Sequence, residues 1–235
     1  MISPEELYRR LDEVMDKEAE LFLTTVPYAR HLTDVSEPLN ERYYIRHRIE
    51  TVKRIRMTSK TDALALAKMV QEDYESARHW SHYTAQELSH DILYLQDLRK
   101  HGCSPADVDA VDVFHSTEQM VRYLENSIVD VGSLPAVVYS LFVEWNSARY
   151  SGTAVTKAES HYSAEHVAGA RAHVLIDSDL DHYSMMVDIV HRLLTRNANT
   201  QTVIQLLETI SSFFRDYFRE LYEETVLAMS HQQVR

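Results

Sequence analysis

Glu87 and His90 stand three residues apart in the run Glu87-Leu88-Ser89-His90. On an α-helix this spacing puts a carboxylate and an imidazole on one face, about 5–6 Å apart at Cβ. Such a pair can hold a divalent ion, and Glu-x-x-His is the spacing used by carboxylate-bridged di-iron sites in helical bundles. By itself the pair is weak evidence, because an acidic chain with 13 His produces it by chance. Its company adds weight. Glu50 follows His47 inside a basic run that holds Arg46, Arg48, Lys53, Arg54 and Arg56. Glu144 lies among Tyr139, Leu141, Phe142, Val143 and Trp145, where a carboxylate is costly unless paired or metal-bound. The competing reading turns Glu144 to solvent and Leu141 and Trp145 inward. His173 and Asp177 are four apart and share a face, and His182 follows them. There is no second Glu-x-x-His, which speaks against a ferritin-like bundle.

Residues this far apart in the chain need regular elements to gather them. Apolar residues recur at helical spacing almost throughout. Ser3-Pro4 starts a helix carrying Leu7, Leu11, Val14, Met15 and Leu21, which Pro27 ends or kinks. A second helix follows Pro38 and runs to about Ser59. Thr61-Asp62 opens a third segment that persists to Gly102, as one long helix or two stacked ones with a break near Trp80. Ser104-Pro105 opens a short helix, and another runs from about Val113 to Val129. Gly132-Ser133-Leu134-Pro135 starts the helix of Glu144, with its end at Gly152. The stretch from Ser160 to Arg196 is helical but changes register near Asp177-Ser178-Asp179. The last helix carries Val203, Leu206, Leu207, Ile210, Phe213, Phe214, Tyr217, Phe218 and Leu221. The expectation is an all-α protein of seven to nine helices, residues 1–235 forming one domain.

Composition narrows the function. With only 4 Gly and 5 Pro in 235 residues, a strand-rich sandwich or a Gly-rich nucleotide loop is disfavoured. Cys103 is the only cysteine, so no intrachain disulfide and no CxxC zinc site can form. The net charge of −12 argues against nucleic acid as a partner. No run of 18 apolar residues predicts a membrane span, and the N-terminus shows no leader pattern, so a cytoplasmic location is expected.

Taken in order, Glu50, Glu87-x-x-His90, Glu144, His173-x-x-x-Asp177 and His182 place one carboxylate or carboxylate–imidazole set on each of four helices. This order resembles the haem-oxygenase-like di-iron oxidases and oxygenases. Their pattern is a Glu on the first core helix, a Glu/His set on the next, a Glu on a later helix, and His-x-x-x-Asp-x-x-His on another. The resemblance covers residues 40 to 196. It departs from the pattern twice. Many members place a Glu seven residues before the His of the second set, where this chain has Tyr83, so Glu87 must serve, as in the branch resembling the decarboxylase that makes terminal alkenes. Three residues after Asp177 stands Leu180, and His182 comes two places late. One π-type bulge across residues 177–181 would bring His173, Asp177 and His182 onto one face. The other repair keeps Asp179-x-x-His182 and loses His173.

The resemblance implies a haem-oxygenase-like helical bundle and two Fe²⁺ held by Glu50, Glu87, His90, Glu144, His173, Asp177 and His182, with O₂ as co-substrate. Glu144 would bridge or sit between the irons, with Glu50, Glu87 and His90 on one side and His173, Asp177 and His182 on the other. Carboxylates and neutral imidazoles without thiolates suit Fe(II). The implied activity is N-oxygenation, oxidative C–C cleavage or a rearrangement of a small amino-acid-like or carboxylate metabolite in a biosynthetic pathway, an amino acid first and a fatty acid second. An external reductant and a homodimer are compatible with it. An arginine of the 42–56 run, or Arg149, is available to neutralise Glu50 or to hold a substrate carboxylate. The rivals are a thiaminase-like hydrolase using Cys103, a metal-free oxidase on the same fold, and a non-catalytic helical interaction protein.

Overall fold

The computed structural model describes residues 2–194 and 199–228, with the side chains of 177–180 outside that description. Nine principal helices and no strand occur among the described residues: α1 (Pro4–Thr25), α2 (Glu41–Glu72), α3 (Tyr74–Glu87), α4 (His90–Lys100), α5 (His115–Val131), α6 (Leu134–Asn146), α7 (Ala168–Leu180), α8 (His182–Leu194) and α9 (Thr200–Tyr222). A short helix, Pro105–Ala110, links α4 to α5. The chain of α6 runs on through a π turn at Ser147–Ser151 into Gly152–His161, so Gly152 does not end it. None of the described helices is long and apolar enough to cross a membrane.

Local chemistry sets the boundaries. Ser3 caps α1 by accepting from the Glu6 N–H at 3.2 Å, and Asn40 caps α2 through the Tyr43 N–H at 3.1 Å, each worth about 1 kcal/mol. Gly102 (φ 82°) lets the chain turn after α4. The helix start expected at Thr61-Asp62 does not occur, and α2 passes straight through. Thr58 and Thr61 return their hydroxyls to the carbonyls of Arg54 and Thr58, absorbing the capping chemistry inside the helix. Nor is there a break near Trp80. That side chain is fully buried in α3, and its indole N–H donates to the Asp62 carbonyl at 3.1 Å, tying α3 to α2. The breaks fall instead at Asp73 and at Leu88-Ser89.

The main core joins Leu7, Leu11 and Met15 of α1 to Val137, Val138 and Leu141 of α6, Met186 and Val190 of α8, and Val203, Leu207 and Ile210 of α9. A second cluster packs α2 against α4 and α7 through Val52, Leu95, Leu98 and Ala170. Between them lies a cavity of about 280 Å³, lined by one face of α2 together with residues of α1, α3, α4, α6, α7 and α9.

Candidate metal centre

Glu87 is the last residue of α3 and His90 the first of α4. The Glu-x-x-His pair therefore spans a tight turn rather than one continuous helix. The two side chains still meet, with Glu87 Oε2 3.0 Å from His90 Nδ1. His173 arrives from α7, its ring 4.3 Å from that of His90 between centroids. Backbone contact makes this approach possible. A Cβ at Gly169 would lie 2.0 Å from the Leu93 carbonyl oxygen, so only glycine lets α7 come this close to α4. Asp97 of α4 fixes the contact by accepting the Gly169 and Ala170 N–H groups, both at 2.8 Å, satisfying two donors at the start of α7.

His182 enters by a different device from the one expected. α7 ends at Leu180, Asp181 takes a left-handed conformation (φ 44°), and α8 starts at His182. The π bulge across 177–181 is not formed. Asp181 is one of the few non-glycine types that tolerate this region, and its carboxylate accepts from the Ser184 N–H at 3.3 Å. The break swings His182 inward, where it is 2% exposed. Its Nδ1 lies 3.7 Å from Glu144 Oε2 and 3.9 Å from Glu87 Oε1, and its Nε2 is 3.2 Å from Gln86 Oε1.

Two sets of donor atoms emerge, each within 4.8 Å of one another: Glu87, His90 and His173; and Glu87, Glu144 and His182. Glu87 is common to both, where the sequence pointed to Glu144 as the shared carboxylate. His173 groups with His90, and His182 with Glu144. Glu144 is 4% exposed, which removes the solvent-facing alternative. Its Oε1 accepts from the Tyr83 hydroxyl at 2.8 Å, and the Tyr83 ring stands edge-on to His182 at 5.1 Å. Burial first, then Glu144, pushes the Tyr83 phenol well above its ordinary range, so it stays protonated as a donor. Asp177 and its alternative Asp179 lie outside the described residues.

Glu50 is not brought to this group. It is fully buried, its Oε2 bound to Arg46 at 2.7 Å and its Oε1 accepting the Phe114 N–H at 3.1 Å. Both oxygens are satisfied, so Glu50 ties α2 to the start of α5. The α2 carboxylate that faces the cavity is Asp62. Its Oδ1 is buried with no hydrogen-bond partner among the described residues. Burial, then the Glu87 carboxylate, pushes its carboxyl up to about 7. Glu87 Oε1 is likewise buried without a hydrogen-bond partner. Buried carboxylate oxygens left without donors are costly unless a cation compensates them. Glu87, with three imidazoles and Glu144 in its two donor sets and no thiolate, fits a hard or borderline divalent ion.

Comparison with known proteins adds the architecture. No family model matches the chain, and no curated protein matches it either. Among solved structures, a domain of unknown function with a haem-oxygenase-like fold from Shewanella denitrificans superposes with a TM-score of 0.79, covering 95% of each chain at 18% identity. The fold is haem-oxygenase-like. A TenA homologue from Pseudomonas syringae shares this haem-oxygenase-like arrangement at a TM-score of 0.73 and 12% identity, covering 94% of this chain and 96% of its own.

Proposed function

We propose that this chain is a non-haem di-iron, O₂-dependent oxidase or oxygenase acting on a small carboxylate or amino-acid-like metabolite. The observation that carries this reading is the pair of donor sets sharing Glu87, on three imidazoles and two carboxylates beside a cavity. Glu87, His90 and His173 would hold one ion, and Glu87, Glu144 and His182 the other. Two ferrous ions there would supply the electrons that activate dioxygen and Lewis acidity toward a substrate group. The chain's own residues do the rest. The Tyr83 hydroxyl occupies Glu144 Oε1 and leaves Oε2 toward His182. Gln86 orients His182 through its other ring nitrogen, the kind of outer contact that fixes a metal-binding imidazole. Phe142 and Phe214 line the cavity with apolar surface and exclude water from its walls.

Anaerobic loading with Fe(II), followed by metal analysis and Mössbauer spectroscopy, tests the reading. Two irons per chain with nitrogen and oxygen ligation are expected. A protein that takes up none would refute it.

The TenA homologue among the structural neighbours supports a second reading, a thiaminase-like enzyme. That chemistry would need a nucleophilic cysteine at the cavity. Cys103 lies beyond the end of α4, is not among the cavity-lining residues, and has its thiol pushed up by burial, away from the reactive thiolate. Activity that survives Cys103→Ser would dismiss it.

A further inference from the structure

The α2 face of the cavity carries more than the carboxylate near the metal centre. His47, Arg48, Thr51, Arg54, Thr58 and Asp62 all line it. Arg54 and Asp62 are eight residues apart, about 12 Å along the helix. Residues of the metal centre line part of the cavity, and two guanidiniums line its α2 wall, Arg48 resting on Tyr94, whose ring lies 5.3 Å from that of His173.

Those guanidiniums differ from their neighbours on the same helix. Arg46 is paired with Glu50 and Glu224, and Arg56 with Asp91 and Asp109. Arg48 and Arg54 have no carboxylate within 4 Å among the described residues. They rest instead on aromatic faces: Arg54 on Phe214 at 5.0 Å and Tyr217 at 5.6 Å, Arg48 on Tyr44 at 5.0 Å and Tyr94 at 5.2 Å. Arg48 is 8% exposed, and its Nε is buried without a hydrogen-bond partner. Tyr44 and Asp97 favour the charge on Arg48, and Tyr139 and Glu50 that on Arg54, but no described carboxylate touches either guanidinium, and ring faces offset only part of the cost of burying one. Arginine remains protonated under any relevant condition. A directly bound anion would complete their pairing.

We propose that Arg48 and Arg54 form an anion subsite that takes the carboxylate of an apolar or aromatic monoacid, with its body along the Phe142 and Phe214 wall. That this acid is the substrate rests on the function proposed above; the subsite itself does not. A zwitterionic amino acid fits poorly, because its ammonium would lie beside the same two guanidiniums. The cavity carboxylates are engaged elsewhere: Glu87 and Glu144 in the donor sets, Glu18 by Arg215, and Asp62 two turns away. A cationic heterocycle is disfavoured for the same reason.

The test is done on metal-free full-length protein, so that it stands apart from the iron measurement. Calorimetric titration with octanoate and 3-phenylpropionate should show saturable binding. Octanol, octylamine and phenylalanine should bind at least about tenfold more weakly. Arg54→Met should weaken octanoate by about tenfold or more, with Arg54→Lys intermediate. Equal binding of octanoate and octanol, or undiminished octanoate binding by Arg54→Met, would overturn the proposal. If Arg54→Met fails to fold, Arg48→Met is titrated in its place, with the same expected and refuting results.

Discussion

Replacing Asp62 by asparagine should change how the stability of the metal-free protein depends on pH. Burial and the nearby Glu87 carboxylate move the Asp62 carboxyl from 3.8 to about 7. Between those values the folded protein keeps a proton that the unfolded chain releases. The contribution is whole below pH 3.8 and is lost as pH rises through 7. Each unit is worth about 1.4 kcal/mol, so raising the pH from 5 to 7 costs about 2–3 kcal/mol, and the full loss by pH 8 is about 4 kcal/mol. The side-chain amide of Asp62→Asn cannot ionise and avoids this loss. Urea denaturation of both proteins in chelator at pH 5, 6, 7 and 8 measures the difference. Subtracting the two curves cancels the titrating groups that do not interact with Asp62. One of these is His31, which burial pushes down to about 4 and which gives the opposite slope between pH 4 and 6.5. Asp62→Asn should gain about 2–3 kcal/mol on wild type from pH 5 to 7, roughly 5–10 °C in melting temperature. A difference that stays constant across this range would refute the argument.

Other outcomes follow from the same geometry. Glu87→Ala should abolish binding of both ions, because its carboxylate belongs to both donor sets, whereas His173→Ala and His182→Ala should each leave about one iron per chain by metal analysis. Glu50→Ala should cost about 1–3 kcal/mol in chemical denaturation by leaving the buried Phe114 N–H unpaired and Arg46 with Glu224 alone as carboxylate partner, while the milder Glu50→Gln should keep both irons; loss of iron in Glu50→Gln would return Glu50 to the ligand set. Asp181→Val should cost about 1–2 kcal/mol for a β-branched residue held at positive φ and weaken the ion at His182. Asp181→Gly should be closer to wild type in both assays.

The helices and most of the gathered side chains were legible because both follow from periodicity and residue type. Glu144 announced itself as a carboxylate in an apolar stretch, and Glu87, His90, His173 and His182 do come together. What failed was local. Thr61-Asp62 has the look of a helix start, and that reading cut α2 in two. A continuous α2 puts residues 47, 51, 54, 58 and 62 on one stripe, and Asp62 would then have been seen on the cavity face. Glu50 carries the residue type of a ligand, but its fate depends on a backbone N–H 64 residues away at Phe114, which no spacing rule encodes. At Asp181 two devices can correct the same register, a π bulge or a left-handed residue followed by a new helix. Sequence alone showed that a correction was needed, and the structure shows which one was used.

The closeness of α4 and α7 bears on how quickly and selectively the centre could fill. His90 and His173 are anchored on helices whose main chains touch at Gly169, clamped by Asp97. The disorder these imidazoles would otherwise lose on capturing an ion has largely been surrendered during folding. Uptake should therefore resemble insertion into a rigid socket, and ions that demand a different spacing would be rejected by the stiffness of the scaffold as much as by the identity of the donors.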